Sequence, residues 1–140
     1  MVFSTDKFLG DLKMRLDMIA SDFCNDMITD GIITASRLKE DDDDSLAHMQ
    51  EIGTLAKMCA DMESDCDKLV AAFEAEFRSK HGSGKHAATG LDAMKIITAI
   101  SNDIDNIAPH ISWLFEDNDC YIIQRIYNNS FLAPAEGHPV

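Results

Sequence analysis

Proline is almost missing from this chain: there are three in 140 residues, and the first is Pro109. Glycine is nearly as scarce, at seven. More than a hundred residues therefore run with hardly a helix breaker, which argues against a chain punctuated by turns and for an all-helical one. Basic residues are also few. Twelve Lys and Arg face 25 Asp and Glu, a formal net charge of −13. Phosphates would be repelled, so a nucleic-acid partner is excluded, and an anionic membrane surface is disfavoured on the same ground. A basic surface or peptide would instead be steered in. Apolar runs of membrane-spanning length are absent, so no direct membrane anchor is expected.

The signatures of catalysis are missing too. Five histidines, His48, His81, His86, His110 and His138, are scattered and form no ligand pair at helical spacing. The aspartate run Asp41–Asp44 lacks the glycine that a calcium loop needs at its sixth place. Gly84-Lys85 lacks the earlier glycine and the following Ser or Thr of a phosphate-binding loop. No enzyme, cofactor or metal site is expected. The opening, MVFSTDKFLG, puts Asp6 and Lys7 where a secretory leader needs an apolar run. With no Cys-x-x-Cys pair among Cys24, Cys59, Cys66 and Cys120, this predicts a cytoplasmic protein with four reduced thiols.

Helical periodicity fills the rest. Leu12, Leu16, Ile19, Phe23 and Met27 make one stripe, predicting a helix over Phe8–Ile28, started by Ser4 or Thr5 and ended by Gly31. A connector from Ile32 to Glu40 follows. Leu46, Met49, Ile52, Ala56 and Cys59 predict a second helix over Ser45–Met62, with Gly53 serving a close helix approach. Leu69, Val70, Phe73 and Phe77 predict a helix from Ser64 or Asp65 to Arg78, either separate or continuous with the one before. Gly90–Ile107 carries the broadest apolar face and is the expected central helix, stopped by Pro109. Tyr121–Tyr127 is a last short helix. Residues 1–133 read as one domain, and 134–140, with Pro134, Gly137 and Pro139, as a flexible tail.

The order of these segments resembles the Bcl-2 family of apoptosis regulators. Asp17–Ile32 (DMIASDFCNDMITDGI) looks like the family's amino-terminal homology helix. Met49-Gln50-Glu51-Ile52-Gly53 is similar to the Leu-x-x-x-Gly core of its BH3 motif, with Thr54 in place of the usual acid. Phe77-Arg78 is similar to the helix end before the family's central helix. Gly90–Ile100 resembles the start of that central helix, with Asp92-Ala93-Met94-Lys95 where the family has Asn-Trp-Gly-Arg. Trp113-Leu114-Phe115-Glu116-Asp117 resembles the second homology stretch. Lys95 to Trp113 is short for the family's two long helices, as in its compact viral members.

The resemblance implies a compact bundle of about six or seven helices around a central apolar helix. It implies an inhibitor of apoptosis in the host-cell cytosol that sequesters the BH3 helix of a narrow set of pro-apoptotic proteins. The groove would be lined by Met58, Met62, Leu69, Val70, Phe73 and Phe77. Lys95 would meet the ligand's aspartate as a point charge, and Met94 would exclude helices that need close approach. For any single apolar residue in that set, ordinary core packing is the stronger account. The rival reading is a dimerising helical adaptor without a peptide groove.

Overall fold

The computed structural model describes residues 2–37, 42–82, 87, 88, 90–113 and 121–131. Two long helices dominate it: α1 over Thr5–Arg37 and α2 over Asp42–His81. At the helical rise they are about 50 and about 60 Å long. Ser4 starts α1, its Oγ accepting the Lys7 N–H at 3.3 Å, and Asp6 adds a carboxylate to the positive helix end.

Two expected boundaries are corrected. Gly31 does not end α1, which continues through it to Arg37, so the expected connector is helical from Ile32 to Arg37. Glycine permits a left-handed turn but does not impose one; inside a helix it costs only about 1 kcal/mol against alanine. The second and third predicted helices are one: Gly53 and Met62–Asp65 all lie within the 40 residues of α2. A Cβ on Gly53 would meet nothing within 4 Å, so the close approach expected there is absent. The end of α2 does need a glycine. Gly82 has φ 84°, and its N–H donates to the Arg78 carbonyl at 2.9 Å, closing the helix in the left-handed conformation.

The two helices run antiparallel. Phe8 meets Phe73 and Phe77 with ring centroids 5.3 and 5.8 Å apart. Further along α1 and further back along α2, Cys24 is disulfide-bonded to Cys59, with Cα atoms 5.8 Å apart. This overturns the expectation of four free thiols. Thirty-five residues separate the two in sequence, and pairing at that distance is set by the fold, not by spacing.

Three shorter helices cover one half of this hairpin: α3 over Gly90–Asn102, α4 over Ile104–Ile107 and α5 over Tyr121–Asn129. Phe8, Leu12 and Leu16 of α1 and Met62, Leu69, Phe73 and Phe77 of α2 are buried against Ile96, Ile97 and Ile100 of α3, Ile104 of α4, and Ile123 and Ile126 of α5. The stretch expected as one central helix is therefore two, broken at Asp103 (φ −108°, ψ 10°). It is buried on one side only: Leu91 is 68% exposed, and Lys95, Thr98 and Ala99 also face solvent. The hairpin, not Gly90–Ile107, organises the fold. Pro109 does follow the last turn of α4, as its missing N–H requires.

A small seam closes the head. Phe3–Ser4 (β1) pairs antiparallel with Ala87–Ala88 (β2), and the Ser4 N–H donates to the Ser130 carbonyl at 2.9 Å. The Phe3 ring packs on Phe8, Phe77, Tyr127 and Phe131 at 5.5–5.7 Å. The fold is all-α apart from these two-residue strands, with five helices among the described residues. None of those is long and apolar enough to cross a membrane.

The other half of the hairpin is less buried among the described residues: of 25–31 and 49–58, Gly31 is buried, Ile28, Ile52, Leu55 and Met58 are half-buried, and the rest are exposed. The hairpin thus leaves the head as a two-helix arm with no third layer among the described residues.

Candidate functional site

Where the arm leaves the head, the facing sides of α1 and α2 are built from small residues. Ala20, Ser21 and Cys24 stand opposite Ala56, Cys59 and Ala60. Small side chains cannot fill the space between two helical ridges, so a cleft of about 530 Å³ remains. Its remaining lining residues are Asn25 and two exposed carboxylates, Asp17 and Glu63; among the described residues no cation lines it.

Methionines mark both ends of this surface. Met14, Met18, Met27 and Met49 are each more than a third exposed. On α1, Met14 and Met18 are four apart, and their face continues at helical spacing into Ser21 and Asn25 of the cleft. On α2, the face of Met49 continues likewise into Ala56 and Ala60. Long, unbranched and polarizable, methionine suits a surface that adapts to a partner helix.

A second cleft, of about 430 Å³, lies between the end of α2 and α3. Glu76, Lys80 and His81 face Asp92, Lys95 and Ile96 across it. The buried Nε2 of His81 has no hydrogen-bond partner.

A polar clamp holds the turn after α4. The Asp65 carboxylate, 2% exposed, accepts the His110 backbone N–H at 2.7 Å, and the His110 Nδ1 lies 2.7 Å from the same oxygen. Asp61 and Lys68 stand further off, each 3.8 Å from one member of this pair. Trp113 donates its Nε1–H to the His110 carbonyl at 2.8 Å and packs its ring on Phe23 of α1 at 5.5 Å. These contacts fasten the turn to both long helices. Among the described residues no three His, Cys, Asp or Glu side chains gather as a metal site would need.

The eight groove residues expected from sequence do not share a surface. Met62, Leu69, Phe73 and Phe77 are core, each 1% exposed or less, and offer nothing to a ligand helix as they stand. Val70 is half-buried against that core. Met58 is half-buried on the arm and Met94 half-buried on α3. Lys95 alone is exposed in a cleft, the second one. Sequence reasoning read Cys24 and Cys59 as free thiols, where they are bonded, and passed over Met14, Met18 and the Asp65–His110 pair. Asp65 did carry a signal: it lies three residues after Met62 and four before Leu69, on the apolar stripe itself.

No protein-family model, curated protein or solved structure matches the chain.

Proposed function

We propose that this chain is a protein-interaction module that holds a basic, amphipathic helix of a partner protein along the α1/α2 cleft. One observation carries the reading: a cleft floored by small residues, whose described charged lining residues are the carboxylates Asp17 and Glu63, and flanked by exposed methionines. Small floor residues let a ligand helix approach closely, methionines grip its apolar side chains, and the acidic rim pairs with lysines or arginines. The chain's −13 charge favours such an occupant over a second copy of itself. The test is a calorimetric titration with two designed helical peptides that share one Leu/Ala face, one flanked by lysines and one by glutamates. The lysine peptide should bind and the glutamate peptide should not. Met18→Asp should abolish binding with the helical circular dichroism unchanged. Equal binding of both peptides, or concentration-dependent dimers that bind neither, would overturn this reading; the second outcome would favour the dimerising adaptor.

A second reading keeps the Bcl-2 resemblance: a pro-survival protein that binds the BH3 helix of a pro-apoptotic partner in the α2/α3 cleft. Lys95, exposed there, supports it as the point contact for the ligand's aspartate. A panel of pro-death helices, titrated against wild type and Lys95→Ala, tests it. Binding that the substitution weakens by about 2–5 kcal/mol supports the reading, much of that being the stranded aspartate. No binding by any member of the panel removes it.

A further inference from the structure

The Cys24–Cys59 bond forms part of the wall of the α1/α2 cleft, and both cysteines are half-buried, so the sulfurs are not sealed in the core. The charged groups on that wall, Asp17 and Glu63, are both anionic. Cys66 lies seven residues on from Cys59 but is buried, and its thiol is pushed up to about 11, by burial first and then by the carboxylates of Asp17, Asp67, Asp65 and Glu63. It therefore supplies no competing thiolate near neutral pH. Beyond the bond lies the arm, with Gly31 its one buried residue among those described. Ile28, Ile52, Leu55 and Met58 are only half-buried there, so the bond is a covalent tie at the base of a part of the hairpin whose burial is partial.

We propose that the Cys24–Cys59 disulfide is a thiol-exchange site, opened through the cleft by zwitterionic or neutral small thiols in preference to anionic ones, and that opening it loosens the arm. The thiolate of the reductant attacks one sulfur, the S–S bond breaks, and the other cysteine leaves as a thiolate. A second reductant thiolate attacks the mixed disulfide and releases the first cysteine. Two reductant thiols are oxidised to their disulfide, the protein disulfide is reduced to two thiols, and the two protons pass from one to the other. Charge selection follows from the rim. In its thiolate form cysteamine is a zwitterion, 2-mercaptoethanol carries one negative charge and glutathione two, so the carboxylates repel them in that order. The chemistry stands without a partner; only the consequence for partner binding rests on the proposed function.

The experiment reduces the intact, folded protein with each thiol at low salt and follows free thiols per reductant thiolate. Hydrogen exchange of the oxidised and reduced forms is then compared. Cysteamine should react about ten times faster than glutathione or more, with the gap closing at roughly 1 M salt. Asp17→Asn with Glu63→Gln should narrow it at low salt. Amides of 25–31 and 49–58 should exchange at least about ten times faster after reduction, while those of 62–77 keep their protection. A bond that opens only in denaturant, rates that ignore reductant charge, or arm exchange equal in both redox states would overturn the proposal. If no basic helix binds either redox form while these results hold, the proposed function fails and the thiol-exchange site stands.

Discussion

Asp65 keeps a carboxylate on the apolar stripe of α2 because its hydrogen bonds are made there: the His110 N–H and Nδ1 both reach it at 2.7 Å. Asp65→Asn removes the charge from both contacts. The expected loss is about 1.5–3 kcal/mol, read as a lower urea midpoint at constant slope. His110→Ala keeps the backbone N–H bond and should cost less. The acid on the core stripe was legible from spacing alone. Its partner was not, because 45 residues separate them and only the turn after α4 brings them together. Cys66 gives a pH signature at the same scale. Its thiol is raised from 9.0 to about 11 in the fold, so between those values the unfolded chain has lost a proton that the native protein still holds. Stability is therefore full below pH 9.0 and falls as pH rises towards about 11, by on the order of 2 kcal/mol. Cys66→Ala lowers stability by removing a packed side chain, but should flatten that slope in urea unfolding measured across the range.

The long helices were legible as elements and misread at their joints. Periodicity in α1 and α2 shows which face is apolar, and the structure buries that face where α3, α4 and α5 cover it. Gly31, Gly53 and the Met62–Asp65 stretch were read as breaks or contacts because glycine and polar residues mark both, and no local rule tells a tolerated glycine from a needed one. Gly82 was needed. Gly53 was not, so Gly53→Ala should stabilise the protein by about 0.5–1 kcal/mol, seen as a raised thermal midpoint with unchanged circular dichroism. The arm depends on its staple in another way. A disulfide that closes 35 residues removes loop entropy worth about 3–4 kcal/mol from the unfolded chain in the simplest polymer model. The same periodicity could not show that Met62, Leu69, Phe73 and Phe77 face a closed core instead of an open groove. An apolar stripe looks the same whether the chain's own helices or a ligand covers it.

At the scale of the whole molecule, charge decides which associations survive. A net −13 on 140 residues makes two copies repel at low ionic strength. The reduced or oxidised protein should sediment as a monomer at about 20 mM salt, where the Debye length exceeds 20 Å or so, and any self-association should appear only as salt screens the repulsion. A dimer that is tightest at low salt would contradict this. The all-helical class was legible from the missing prolines, but the split, among the described residues, between a buried head and a partly buried arm was not, since it depends on which residues the last helices reach. The Phe3 ring cluster adds a constraint on the order of assembly. Its members Phe3, Phe8 and Phe77 belong to the first part of the chain, while Tyr127 and Phe131 close it. On the ribosome, the hairpin and its sulfur bridge have all their residues in hand while the seam still lacks two of its rings. The arm can therefore be complete before the head that carries it, and a chain stalled short of Tyr121 emerges with Phe3 still waiting for half of its cage.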